Sequence, residues 1–283
     1  MNQVHIITDD MVQFSRPSFI GQDLVTVIPS KITYNGKRIE EDYKITDLPS
    51  SLVNSPSFTI TPPSIEDYTQ AYRNSSLIAR EIIALTSSSF ITASFQNAKD
   101  AAESLAGQVT VHVIDSQSIS GGLGFLVQQA AADAARKISC QLIENQLRNM
   151  IPHIYSIFCI PNLTYLQKAG FLDYPQAVVG EMLNLIPLFT LEDGHLSPLE
   201  KARNPRQLLD FFEEFMGEFC DLSQITFIQG VPPLTNETRL LREKAQISFP
   251  KTQFTEYNIS LPVAALLGPR IICMFIMEIP AKN

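Results

Sequence analysis

Short apolar runs alternate with segments of helical period along the first half of the chain. Val4-His5-Ile6-Ile7-Thr8 reads as a strand that ends at Asp9-Asp10. Residues 24–28 and 32–34 read as two further short strands, with Asn35-Gly36 as a hairpin-type turn. Thr61-Pro62-Pro63-Ser64 halts extended structure. Ser64 can cap a helix, and Asp67 three residues on completes a capping-box pattern. The apolar run at residues 81–85 predicts a buried strand, and residues 86–89 the loop after it. A helix is predicted from about Thr92 to Leu105, because Phe95, Ala98, Ala102 and Leu105 recur at spacings of three and four. Residues 109–114 again read as a strand, closed by Asp115. Gly121, Gly122 and Gly124 then lead into a helix with Leu126, Val127, Ala130, Ala131 and Ala134 on one side. Strand, helix, strand, helix in succession predicts a parallel sheet with right-handed crossovers. The expectation for residues 1–150 is a Rossmann-like α/β domain with helices on both faces of the sheet.

The pattern changes after Pro152. Residues 154–160 read as a strand, followed by two helices, the second at about residues 176–185. Residues 187–191 and 196–200 flank Glu192-Asp193-Gly194, an Asp-Gly hairpin signal. Asn204-Pro205 is a cap followed by a first-turn proline, and Leu208, Phe212, Phe215 and Phe219 give a helical stripe. Residues 225–228, 254–259 and 271–279 look like further strands. Hairpins mixed with helices predict an α+β domain with a mixed or antiparallel sheet over residues 151–283. No internal repeat is visible.

A length of 283 residues suits two domains of ordinary size. Apolar residues make up 45% and charged residues 18%, the latter below the usual share of about 25%. The net charge of −8 argues against nucleic acid and against anionic membrane surfaces as partners. The N-terminus carries no basic segment and no long apolar stretch, so no signal peptide is read there. The longest clean apolar run near the C-terminus, residues 271–277, is far short of the roughly 20 residues a membrane span needs. A cytoplasmic protein is expected. Cys140, Cys159, Cys220 and Cys273 are scattered without a CxxC pair and read as reduced core thiols. His5, His112, His153 and His195 make no HxH or HExxH pattern, so no metal site is signalled. His112 lies inside an apparent strand and reads as a core or edge residue.

Three segments carry candidate chemistry. They are Thr59-Ile60-Thr61-Pro62-Pro63-Ser64, Thr86-Ser87-Ser88-Ser89, and Asp115-Ser116-Gln117-Ser118-Ile119-Ser120-Gly121-Gly122. Each falls between a predicted strand and a predicted helix N-terminus. In a doubly wound sheet such loops gather at the carboxyl edge, where ligands bind. Hydroxyls and free N–H groups there can hold an anion. Taken singly, each loop is best read as a helix cap; the three together point to a head-group site. Gly121-Gly122-Leu123-Gly124 is not GxGxxG, no Walker pattern exists, and no serine sits in GxSxG. Nucleotide binding and serine hydrolysis are therefore not signalled.

These segments resemble the DegV family of bacterial fatty-acid-binding proteins over nearly the whole chain. Thr8-Asp9 resembles the family's opening Thr-Asp-Ser strand end. Thr61-Pro62-Pro63-Ser64-Ile65-Glu66-Asp67-Tyr68 is similar to its Ser-Gln-Pro-Ser-Pro segment with an acidic and aromatic tail. Ser88-Ser89-Phe90-Ile91-Thr92-Ala93-Ser94-Phe95-Gln96-Asn97-Ala98 is similar to its Ser-Ser-x-Leu-Ser-Gly-Thr-Tyr-Gln-Ser-Ala. Val113-Ile114-Asp115-Ser116, with Ser120, Gly122 and Gly124, resembles its Val-Ile-Asp-Ser…Ser-x-Gly-x-Gly. Leu183-Asn184, Pro187, Asp193-Gly194 and Glu200-Lys201-Ala202-Arg203 also fall in register.

The resemblance implies a non-enzymatic carrier without a cofactor, whose ligand is a long-chain fatty acid. Its acyl chain would lie in a tunnel between the two domains. The carboxylate would meet Thr61, Ser88, Ser89 and Thr92. In part of the family the loaded protein presents that carboxylate to a fatty-acid kinase, and Arg203 and Arg270 are the basic residues here that could face a phosphate or such a partner. Departures from the family weaken the kinase reading. Phe171 stands where the family commonly has arginine, Ile186 where it has lysine, and Leu266 where it has histidine, while Arg270 replaces a glycine. A carrier is the leading expectation, with an acyl-presenting subunit or an α/β enzyme on a small polar substrate as the alternatives.

Overall fold

The structure, a computed structural model, describes residues 2–39, 45, 58–183, 186–231 and 235–279. Within them the strands run β1 (Asn2–Asp9), β2 (Val25–Ile28), β3 (Lys31–Tyr34), β4 (Lys37–Arg38), β5 (Phe58–Thr61), β6 (Ala79–Thr86), β7 (Thr110–Asp115), β8 (Ile154–Cys159), β9 (Ile186–Glu192), β10 (His195–Ala202), β11 (Leu222–Gln229), β12 (Gln253–Asn258) and β13 (Ile272–Glu278). The helices are α1 (Ile65–Ser76), α2 (Ser94–Ser104), α3 (Ser120–Ala135), α4 (Cys140–Met150), α5 (Leu163–Lys168), α6 (Tyr174–Met182), α7 (Pro205–Gly217), α8 (Thr235–Ser248) and α9 (Leu261–Leu267). The chain divides into two compact units. The first comprises Met1–Lys31, Thr61–His153 and Asp193–His195; the second comprises Ile32–Ile60, Ile154–Glu192 and Leu196–Asn283. Relative to a single break near residue 150, the segment Ile32–Ile60 and the turn Asp193–His195 change sides.

The first unit is built on a four-stranded sheet of order β2-β1-β6-β7, parallel throughout. Ile6, Ile7, Ile82 and Ile83 are fully buried. Both faces of the central strands are therefore covered, which is why their sequences are continuous apolar runs and not alternating ones. Tyr68 and Tyr72 of α1, with Ala98, Ala101 and Leu105 from α2 and just beyond it, pack on Ile7, Ile82 and Ala84. Alternation turns Ile6 and Ile83 to the opposite face, the side where α3 and α4 meet β1 and β6. Helix α3 is more deeply enclosed than a one-sided stripe predicts: Leu123, Phe125, Leu126, Val127, Ala130 and Ala131 are all buried. Gly124 permits this, because a Cβ there would collide with the backbone carbonyl of Gln13. Helix α4 has no counterpart in the sequence reading. Its buried positions are only Cys140, Ile143 and Leu147, too sparse a stripe to stand out from its polar residues.

The second unit contains a six-stranded mixed sheet of order β10-β9-β8-β13-β11-β12. β11 and β12 pair in parallel, while β8–β9, β8–β13 and β11–β13 are antiparallel. Asn204 caps α7 by accepting the Gln207 N–H at 2.9 Å, with Pro205 in the first turn. Leu208, Phe212, Phe215 and Met216 of α7 and Leu241 and Ala245 of α8 then bury against Ile225, Phe227, Met274 and Ile276. A three-stranded sheet of order β4-β3-β5 stands apart. Its hairpin turns at Asn35 and Gly36, both at positive φ, as a type I′ turn requires.

Candidate functional site

The loops that follow β6 and β7 leave the carboxyl edge of the parallel sheet and are bonded to each other. The Ser88 N–H donates to the Ser118 carbonyl at 2.9 Å, and the Ser116 N–H to the Thr86 carbonyl at 3.2 Å. The Ser89 N–H donates to the Asp115 carboxylate at 3.2 Å. The first hydroxyl-bearing loop has a different origin from the one expected. Its strand, β5, belongs to the separate three-stranded sheet and not to the parallel one. The Asn97 side-chain amide donates to the Pro63 carbonyl at 2.8 Å and ties that loop to α2.

Helix capping accounts for the first loop and not for the other two. Ser64 accepts the Asp67 N–H while the Asp67 carboxylate accepts the Ser64 N–H, a complete capping box. Its carboxyl is held below the usual range, first by the Ser64 backbone bond and, against some desolvation, by the Ser64 hydroxyl and Lys31. By contrast, α2 and α3 begin at Ala93 and Ile119 with no side-chain cap. The Ser120 N–H at the start of α3 donates to the Met11 carbonyl at 2.8 Å, and the helix dipoles favour an anion or an acceptor-rich group near these N-termini.

The four head-group candidates separate into two kinds. The Ser88 hydroxyl is buried, donates to the Gly194 carbonyl at 2.7 Å and accepts the Phe90 N–H at 3.2 Å. Thr92 stands 2.8 Å from the Ser87 hydroxyl and accepts the Ser94 N–H at 3.2 Å. Both build the loop. Thr61 and Ser89 are exposed, and their hydroxyls have no hydrogen-bond partner among the described residues. They are the two free to meet a ligand. Beside Ser89, the exposed Phe90 ring stacks on His195 with centroids 3.4 Å apart.

Behind the loop lies a polar centre that sequence reasoning passed over. Asp9, at the end of β1, is completely buried. Its carboxylate accepts the Ser87 N–H at 2.8 Å, the Ser87 hydroxyl at 2.9 Å and the Met11 N–H at 3.1 Å. Because Ser87 spends its one proton on Asp9, Thr92 is the donor in their shared bond. Burial raises the Asp9 pKa to about 6, outweighing the Ser87 and Met11 hydrogen bonds that favour the charged form. Tyr68 sits beside Ser94 and feels the Asp9 charge; burial pushes its phenol well up. The hydroxyls of Tyr68, Thr86 and Ser94 are buried and unpaired among the described residues. Each such group costs about 1–3 kcal/mol. In the sequence Asp9 stood out as a strand end and as half of the Thr8-Asp9 resemblance; its bonds to Ser87 and Met11 needed the fold.

Arg203 and Arg270 are exposed residues of the second unit. Phe171 and Ile186 are half-buried and Leu266 is buried. Asn184 and Leu185, part of the resemblance and of the helix expected to reach residue 185, lie outside the described residues. Cys140, Cys159 and Cys273 are buried free thiols as expected, but Cys220, three residues beyond the end of α7, is exposed. No helix among the described residues is long and apolar enough to cross a membrane.

Comparison with known proteins places this architecture. A family model described as an uncharacterised protein of the DegV family matches residues 3–278. A DegV domain-containing protein of Staphylococcus aureus (strain MRSA252) is 26% identical over 221 residues, covering 77% of this chain and 78% of the relative. Among solved structures, a DegV family protein from Thermus thermophilus, described by its fatty acid binding, superposes with a TM-score of 0.82 at 23% identity, over 99% of this chain and 100% of that one. The Fatty Acid Kinase (Fak) B3 protein of Streptococcus pneumoniae, loaded with linoleic acid, gives a TM-score of 0.83 at 18% identity, over 98% and 100%.

Proposed function

This chain belongs to the DegV family, and we propose that it is a cytoplasmic carrier of a long-chain fatty acid with no chemistry of its own. The observation that carries the proposal is the pair of serine loops at the N-termini of α2 and α3, whose N-cap residues Ala93 and Ile119 supply no side-chain cap, with the Thr61 and Ser89 hydroxyls uncommitted beside them. The fatty acid carboxylate is assigned to Thr61, Ser88, Ser89 and Thr92, with Ser88 and Thr92 mainly holding the loop's shape and Thr61 and Ser89 making the contact. Ligands of the Thermus and Streptococcus proteins support the choice of a fatty acid. The four free cysteines suit a reducing compartment.

The energetics fit such a division of labour. Each buried methylene contributes about 0.8 kcal/mol, so a long tail supplies about 10 kcal/mol gross against an association cost of about 4–15 kcal/mol. A hydrogen bond to a charged head adds about 1.5–3 kcal/mol. Tail length sets affinity, and the hydroxyls set which end sits where. Replacing Thr61 and Ser89 together by alanine therefore weakens fatty acid binding by about tenfold or more while the fold persists, read by titration calorimetry and circular dichroism. Unchanged affinity removes these loops from the head site.

A second reading, presentation of the acyl carboxylate to a fatty-acid kinase, is favoured by the likeness to the Fak B3 protein. Phe171, Ile186 and Leu266, in place of basic or histidine residues, weigh against it. Arg203 and Arg270 are the groups left to face a kinase or an acyl phosphate.

A further inference from the structure

On the side of the first unit away from the serine loops, three elements bring together a histidine, a cysteine and a glutamate. Glu81 lies near the start of β6, His112 lies on the edge strand β7, and Cys140 opens α4. One donor atom from each lies within 4.8 Å of the other two. A tetrahedral centre with bonds of about 2.0–2.3 Å spaces its ligand atoms about 3.3–3.7 Å apart. The 3.8 Å between the His112 Nε2 and the Glu81 carboxylate is already close to that spacing.

The histidine is held in the orientation a ligand needs. Its Nδ1 is 2.7 Å from the Glu144 carboxylate, which fixes the Nδ1–H as donor and leaves Nε2, 3.8 Å from the Glu81 carboxylate, as the lone-pair nitrogen. Glu144 is in turn gripped by Arg148 through Nε at 3.0 Å and Nη2 at 2.7 Å. Burial works against the Glu144 charge, but the Arg148 and His112 bonds outweigh it and keep its carboxyl below the usual range. A carboxylate behind a ligating imidazole is the arrangement that orients histidine in metal sites. Cys140, Glu144 and Arg148 recur every four residues along α4, so one helix face supplies a ligand, the orienting group and its anchor. Burial, and then the charges of Glu81 and Glu144, raise the Cys140 thiol to about 12. The same negative surroundings attract a cation, whose binding displaces the thiol proton to solvent.

We propose that Glu81, His112 and Cys140 bind a zinc-class divalent cation, with Glu144 as the positioning carboxylate and solvent in the fourth place. Thiolate, imidazole and carboxylate together select zinc or cobalt over magnesium and calcium. The site is independent of the fatty acid reading. It joins two strands of the parallel sheet to α4, so metal stabilises that unit.

The test is cobalt(II) titration of chelator-treated full-length protein under reducing conditions, followed by optical absorption, with zinc competition. The expected result is one cobalt per chain with a thiolate-to-cobalt charge-transfer band that zinc abolishes. Cys140→Ser removes the band, and His112→Gln or Glu81→Gln weakens binding by at least about tenfold. Glu144→Gln weakens it by about 10–100-fold while the band survives at saturation. Glu81 and His112 are partly exposed, so their variants keep the test decisive if Cys140→Ser fails to fold. Absence of binding in wild type overturns the proposal. A band lost in Cys220→Ser and kept in Cys140→Ser also overturns it, by placing the metal on the exposed thiol.

Discussion

Asp9 makes the stability of this protein depend on pH in a direction opposite to most carboxylates. Its pKa is raised from 3.8 to about 6 in the folded chain. Between those values the native state holds a proton that the unfolded state has released. Stability therefore falls as pH rises from about 4 to about 6 and is level above that. The difference of roughly two pKa units corresponds to at most about 3 kcal/mol. Asp67 and Glu144, whose pKa values are lowered, change stability in the other direction, so wild type alone gives a blurred profile. The comparison with Asp9→Asn isolates the effect. In that variant the amide oxygen can still accept both Ser87 donors, while the amide NH2 faces the Met11 N–H, a mismatch that costs about 1–3 kcal/mol. At pH 4.5 the variant is thus the less stable protein. As pH rises to 7.5 the gap narrows by about 2 kcal/mol, the part of the Asp9 effect that lies above pH 4.5, because only wild type then buries a charge. Urea unfolding followed by far-ultraviolet circular dichroism, repeated across that range, measures the gap. A gap that stays constant, or one that widens toward pH 7.5, refutes the account of Asp9.

Ser64→Ala removes one half of the capping box at α1 and lowers unfolding free energy by about 1 kcal/mol, checked by urea unfolding. Gly194 lies at φ +84, and a Cβ there falls 2.6 Å from the Ser88 hydroxyl. Gly194→Ala is expected to weaken fatty acid binding in calorimetry, whereas Gly36→Ala, at φ +75 with open space around it, pays only the backbone strain of about 1–3 kcal/mol in stability. Mixing the loaded protein with a bacterial fatty-acid kinase and ATP is expected to give little acyl phosphate; robust turnover would show that Phe171, Ile186 and Leu266 do not disable presentation.

Much of the fold could be read from local patterns. The parallel strands announced themselves as apolar runs because both faces are covered, and α7 as a phenylalanine-rich stripe behind Asn204-Pro205. Helices α4, α8 and α9 went unread for physical reasons. α4 and α8 bury few residues each, and α9 is a short apolar stretch beside Gly268 that looks like strand or loop. The serine loops were legible as a group, but not which hydroxyls they leave free. Ser88 is consumed by the Gly194 carbonyl, a partner 106 positions along the chain that no spacing rule reaches. Asp9 likewise gains its meaning from Ser87, and the Glu81, His112 and Cys140 cluster from three separate elements.

The most direct test of the carrier account is native mass spectrometry of the purified protein, followed by denaturing extraction and lipid analysis. The account predicts a mass increment of one long-chain fatty acid per chain, recovered on extraction. An empty protein that also fails to take up added fatty acids would contradict it.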